Sequence, residues 1–302
     1  MSYRSERVLP FESMLYNRND VFMSSMSEEE IKSLFLEVLN NGMHGICFSL
    51  YEEGQKPGDI ISETQIIRRI QILKPYTKWV RSFSTTEGND LIPKIAKQYG
   101  MKTMVGAWLG DDKEKNEQEL ENLVQLCKDG MVDIAAVGNE VLYRNDLSLD
   151  ELLEKMKYVK SQVPGITVGY VDAYYEFSKH PELVDACDVV LTNYYPFWEG
   201  TSFDDSLGHL HHMHQQTLQA ANGKKIIITE TGWPSQGENT KNAVPDKLSA
   251  MKYFINAQLW ALDARIEMFY FSSFDESWKV GAEGKVGAYW GLWDKNEKLK
   301  FI

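Results

Sequence analysis

The chain has 302 residues, 43% hydrophobic and 25% charged, which is the usage of an ordinary globular protein and not of a disordered, collagen-like or disulfide-dense chain. Its 32 Lys and Arg against 44 Asp and Glu leave a net charge of −12, so no nucleic acid or anionic membrane partner is expected, since both want a basic patch. Apolar runs are too short for a membrane-inserted helix. The 3 cysteines, Cys47, Cys127 and Cys187, are too scattered for a disulfide framework or zinc site and read as buried thiols.

Residues 1–26 read as an N-terminal extension and 27–302 as one domain. The start, Met1-Ser-Tyr-Arg-Ser-Glu-Arg, has no apolar signal core. The chain is therefore either cytoplasmic or the mature part of a secreted, periplasmic or cell-surface protein. Ser27-x-x-Glu30 is a capping box opening a helix with Ile31, Leu34, Phe35, Val38 and Leu39. His44 follows as a turn residue before the first strand, Gly45–Leu50. Ser62-x-x-Gln65 starts the next helix, with Ile66, Ile70 and Leu73 on one face. Strands Trp79–Phe83 and Thr103–Leu109 come next. The run Asp111–Glu121 reads as a solvated helix start, and Leu120, Leu123, Val124 and Cys127 as the buried face of that helix, which ends at Gly130. After strand Ile134–Asn139, Ser148-x-x-Glu151 caps a helix that Pro164-Gly165 stops. Strands Ile166–Val171, Val189–Tyr194 and Lys225–Thr229, a helix from about Pro245 to Asp263, and strand Met268–Phe274 complete the series.

Eight short apolar strands, several apolar on both faces, alternate with amphipathic helices. That pattern makes either a closed (β/α)8 TIM barrel or a doubly wound open sheet. No Gly-rich phosphate fingerprint follows the first strand, which favours the single barrel. No clear helix follows the last strand, and the helix at 27–41 is placed to cover that gap.

A barrel of this kind carries its site at the C-terminal ends of the strands. There the fourth strand presents Gly138-Asn139-Glu140 and the seventh Glu230-Thr231-Gly232-Trp233-Pro234-Ser235. Two carboxylates on rigid strand ends among aromatics suit glycoside cleavage. It needs a proton donor for the leaving oxygen and a carboxylate at the anomeric carbon, about 5–5.5 Å apart when configuration is retained and about 6.5–9.5 Å when it is inverted.

These two signatures resemble those of glycoside hydrolase family 17, the β-1,3-glucanases and related glucanosyltransferases. Gly45-Ile46, Arg81-Ser82-Phe83, Asn193-x-Tyr195-Pro196 and Phe274-Asp275-Glu276 with Trp278-Lys279 add to the match, over about 45–293. The resemblance implies a (β/α)8 barrel and a retaining double displacement. Glu140 would be the acid/base and Glu230 the nucleophile. Asn139 would hold the sugar 2-OH, Arg81 would keep the nucleophile charged, and Tyr195 would stand beside it. Glu276 and Lys279 would form a charged pair on the glycone side, and Glu283 matches a further family glutamate less closely. Cys47-Phe48-Ser49 and Tyr51-Glu52-Glu53-Gly54-Gln55 depart from the plant pattern toward the bacterial and fungal branch.

Tyr51, Trp108, Tyr174, Trp198, Trp233, Trp278 and Trp290 are candidate sugar platforms, with Trp233 also a candidate buttress for Glu230. Trp79 and Trp260 read as core. His209, His211, His212 and His214 are spaced around a helix and not as a metal site. The expected activity is endo-β-1,3-glucan hydrolysis of the laminarinase type by a monomer that needs no metal or organic cofactor. The alternatives are a β-1,3-glucanosyltransferase with the same pair and a non-catalytic glucan-binding barrel.

Overall fold

Eight parallel strands pair in chain order and the last closes on the first. They are β1 (Met43–Cys47), β2 (Thr77–Ser82), β3 (Lys102–Ala107), β4 (Ile134–Asn139), β5 (Thr167–Ala173), β6 (Val190–Asn193), β7 (Ile226–Thr231) and β8 (Glu267–Tyr270). This is the closed (β/α)8 barrel that the alternation of segments implies. The structure, a computed structural model, describes residues 23–302, so the expected extension 1–26 falls outside it up to residue 22. β4 and β6 are buried at every position, as parallel strands covered on both faces require.

The covering helices are α1 (Glu28–Asn40), α2 (Glu63–Leu73), α3 (Leu91–Gln98), α4 (Lys113–Lys128), α5 (Val141–Arg144), α6 (Leu149–Gln162), α7 (Tyr174–Lys179), α8 (Pro181–Ala186), α9 (Phe203–Ala220) and α10 (Lys247–Asp263). Ser27 and Glu30 cap α1 reciprocally, and Ser148 and Glu151 do the same for α6. Each pair satisfies two N–H groups that a helix start leaves without intrahelical partners.

After β8 only short turns follow, at Ser277–Lys279, Val280–Glu283 and Lys285–Ala288. α1 fills the gap. It packs on α10, with Phe35 set 5.1 Å from the rings of both Phe254 and Phe301.

Most strand boundaries move by one or a few residues from the sequence reading, and two of the shifts have a visible cause. His44 lies inside β1 and not in the turn before it, because the chain already turns at Gly42 (φ 87°). Its ring stacks on Trp79, with centroids 5.5 Å apart. The eighth strand ends at Tyr270 and not at Phe274. From Ser272 onward the backbone pairs with the returning tail, Ser272 N–H to the Trp290 carbonyl and Leu292 N–H to the Ser272 carbonyl. All three cysteines are buried and free, and Trp260 is core.

Candidate active site

Glu140 follows the last residue of β4 and Glu230 lies near the end of β7. Asn193, the last residue of β6, connects them. Its Nδ2 donates to Glu140 Oε1 at 2.9 Å and to Glu230 Oε1 at 3.1 Å. Thr229 Oγ1 donates to Asn193 Oδ1 at 2.7 Å, so the amide cannot be flipped without losing all three bonds. Two further donors meet on Glu230: Arg81 Nη1 at 2.7 Å on Oε1 and Tyr195 Oη at 2.6 Å on Oε2. Arg81 is 1% exposed, and its Nη2 donates to Asn139 Oδ1 at 2.6 Å. One guanidinium from β2 thus orients both the Glu230 carboxylate and the residue preceding Glu140.

The backbone around Glu140 is irregular. Its φ of 52° is left-handed, uncommon for a residue with a side chain, and the β4–β5 register shifts between Ala136 and Asn139. Gly138 (φ 89°) permits the turn, since a Cβ there would stand 2.8 Å from Val141 Cγ2. At the other carboxylate, a Cβ on Gly232 would stand 2.0 Å from the Phe271 carbonyl oxygen, so only glycine lets the chain pass there.

Behind Glu140 lies Asp172, fully buried on β5. Burial, reinforced by the charge of Glu140, pushes its carboxyl up to about 8. Beyond Glu230, Lys279 pairs with Glu276 at 2.8 Å, and Glu276 Oε1 accepts the Tyr51 N–H at 3.0 Å. Burial pushes half-buried Glu283 up to about 7, against the pull of Lys279. Burial likewise pushes the Cys47 thiol, 3.7 Å from Arg81 Nη1, up to about 12, so it stays a neutral thiol. Among the described residues no three His, Cys, Asp or Glu side chains gather as metal ligands.

This constellation sits inside a match to a known domain: residues 45–291 correspond to the BtgE/BtgC glycoside hydrolase domain. The chain belongs to that family. It is 29% identical over 267 residues to a glucan 1,3-beta-glucosidase of Candida albicans, covering 77% of this chain and 83% of that one. It is 27% identical over 275 residues to a probable glucan endo-1,3-beta-glucosidase of Aspergillus flavus, covering 79% of this chain and 39% of that longer one. A Rhizomucor miehei β-1,3-glucanosyltransferase, solved as an active-site mutant with laminaritriose, superposes with a TM-score of 0.78 at 29% identity. That match covers 86% of this chain and 96% of the other.

In this glycoside hydrolase the aromatic candidates separate by exposure. Trp108, at the mouth after β3, is 38% exposed, and the Arg144 guanidinium lies 4.4 Å from its ring centre. Trp198 and Trp278 are half-buried, with Trp278 edge-on to Tyr51 at 5.6 Å. Tyr51, in the loop after β1, and Tyr174, the first residue of α7, are buried. Trp233 does not serve as a platform. It is 1% exposed, donates its indole N–H to the Val244 carbonyl at 3.0 Å and packs between Phe197, Phe203 and Tyr253. Trp290, 2% exposed, is walled by Tyr195, Phe197, Trp198 and Phe271.

The acidic run at 111–121 is not wholly solvated. Glu119 is fully buried and accepts the N–H groups of Thr85 (2.8 Å) and Trp108 (3.1 Å) and the hydroxyls of Ser84, Thr85 and Thr86. It ties together the loops after β2 and β3. Its position on the inward face of α4, one residue before Leu120, was the available signal. His209 and His214 are also buried. His209 Nε2 lies 2.5 Å from Glu199 Oε2, and His214 Nδ1 lies 3.2 Å from Tyr194 Oη.

Proposed function

We propose that the chain is a retaining endo-β-1,3-glucan hydrolase working through a covalent glycosyl-enzyme. The observation that carries this reading is the shared donor, Asn193 Nδ2. Oxygens of Glu140 and Glu230 that lie 2.9 and 3.1 Å from one nitrogen cannot be farther apart than those lengths end to end. One oxygen of each carboxylate thus lies within that reach of the other, which favours the retaining spacing of about 5–5.5 Å between carboxyl groups over the inverting one of about 6.5–9.5 Å. The substrate class is supported by the names of the relatives, glucan 1,3-beta-glucosidases, and by the laminaritriose complex.

In this reading Glu230 attacks the anomeric carbon as the glycosidic C–O bond breaks and Glu140 hands its proton to the leaving oxygen. Glu140 then takes a proton from water, whose oxygen displaces Glu230 from the sugar. Three donors, one of them a guanidinium, suit Glu230 to the ionised role. The steps as written call on two protein carboxylates, and one chain supplies both. A polymeric glucan is met outside the cytoplasm, which makes the site of action extracellular, periplasmic or on the cell surface.

The glucanosyltransferase relative favours a second reading, in which a sugar hydroxyl replaces water in the second step. Product sizing from laminarin and from one laminari-oligosaccharide tests both. Early mixed shorter oligomers support endo hydrolysis, oligomers longer than the starting one support transfer, and a single short product from the outset overturns the endo assignment.

A further inference from the structure

Glu140 occupies the N-cap position of α5 in a left-handed conformation, and its side chain makes no capping bond. That side chain is engaged elsewhere, with Asn193. A helix start still needs acceptors for its first N–H groups. β5 supplies them. Tyr170 Oη accepts the Leu142 N–H at 2.9 Å, and Asp172 Oδ2 accepts the Tyr143 N–H at 3.3 Å. Tyr170 in turn donates its hydroxyl hydrogen to Asp172 Oδ2, and Asp172 Oδ1 accepts the Ala173 N–H at 2.7 Å. The ring of Tyr170 also closes on Gly138, where an added Cβ would lie 3.3 Å from Cε2. The Glu140 N–H is tied to the Val171 carbonyl at 2.8 Å, between the two side chains. Both Tyr170 and Asp172 are fully buried, so neither touches substrate.

We propose that Tyr170 and Asp172 are positioning residues that act as a borrowed N-cap, holding the turn that aims Glu140 at the leaving oxygen. A glutamate employed in chemistry cannot cap its own helix, and the neighbouring strand does so in its place. The proposal rests on the reading of Glu140 as the acid/base.

Tyr170→Phe leaves the Leu142 N–H without its acceptor and removes one donor to Asp172. Asp172→Asn keeps the volume but replaces one oxygen by an NH2 that cannot accept from the backbone N–H groups, and it serves if the first variant fails to fold. Both are compared on laminarin and on dinitrophenyl β-laminaribioside, whose leaving group needs no proton. Expected, with unchanged circular dichroism, is a loss of about ten- to hundredfold on laminarin, a share of the whole acid–base contribution of about 10²–10⁴. The pre-steady-state release of dinitrophenolate should stay within about threefold of wild type, since that step asks nothing of the acid. Azide should then restore the slow second step on the aryl substrate. Equal losses on both substrates, or undiminished laminarin turnover, would overturn the proposal. Glu140→Ala is the control. If it loses aryl release as severely as laminarin turnover, the acid–base reading of Glu140 is what fails.

Discussion

Asn193 Nδ2 reaches an oxygen of each glutamate, and Thr229 fixes which end of its amide faces them. Hydrogen bonds to charged groups contribute about 1.5–3 kcal/mol each, so Asn193→Ala should lower kcat/KM by about ten- to hundredfold. Retention of wild-type turnover on laminarin would show that the bridge has no part in catalysis. Glu140→Ala and Glu230→Ala should fail differently with azide and an activated aryl glucoside. The β-glucosyl azide is expected from Glu140→Ala and the α-glucosyl azide from Glu230→Ala, and the opposite pairing would mean the roles are exchanged. Glu140 and Glu230 could be singled out in the sequence because each ends a strand inside a short distinctive run. Asn193 could be seen only as part of a pattern. Its role comes from partners 37 and 53 residues away, which only barrel closure brings together. Glu119 and Asp172 were missed for the same reason. Glu119 stands in a charged run and reads as solvated, and Asp172, just past an apolar strand, shows no partner in the sequence until the turn it binds is known.

The loops that carry the site depend on the ring of helices beneath them, and α1 completes that ring from the N-terminal side. Phe35 is fully buried between Phe254 of α10 and Phe301 of the returning tail. Phe35→Ala should cost about 3–5 kcal/mol, as large-to-small core changes of this kind do. Urea unfolding measures it, and a loss under about 1 kcal/mol would mean that α1 is not integral to the barrel. Capping boxes and apolar stripes make α1, α2, α4, α6 and α10 legible in the sequence, whereas α3, α5, α7 and α8 start without a side-chain cap and leave no such signal. Strand ends are less legible, because apolar residues continue past the last barrel pairing at β8, where the tail takes over the hydrogen bonds.

Across the whole molecule, buried and half-buried titratable groups other than Glu140 and Glu230 shape the response to pH. Burial pushes His44 down to about 4 against the charge of Glu267, and His214 down to about 4 with help from His211. Each is neutral in the fold, while an unfolded chain takes up protons below about 6.5. Their contribution to stability is thus lost as pH falls from about 6.5 toward 4. Asp172 acts in the opposite sense. Its carboxyl ionises from 3.8 when unfolded but only near about 8 when folded, so its contribution declines as pH rises across that window. Melting temperatures should therefore fall less on acidification in His44→Gln than in wild type, and less on alkalinisation in Asp172→Asn. Parallel curves for variant and wild type would contradict this.

Glu140 and Glu230 share one amide nitrogen, and under the proposed double displacement Glu230, not a water between them, attacks the sugar. Proton NMR of the first products released from a laminari-oligosaccharide, read before mutarotation, tests it directly. The β-anomer should appear first and the α-anomer only as the mixture equilibrates; an initial α-anomer would contradict the double displacement and the nucleophilic role of Glu230.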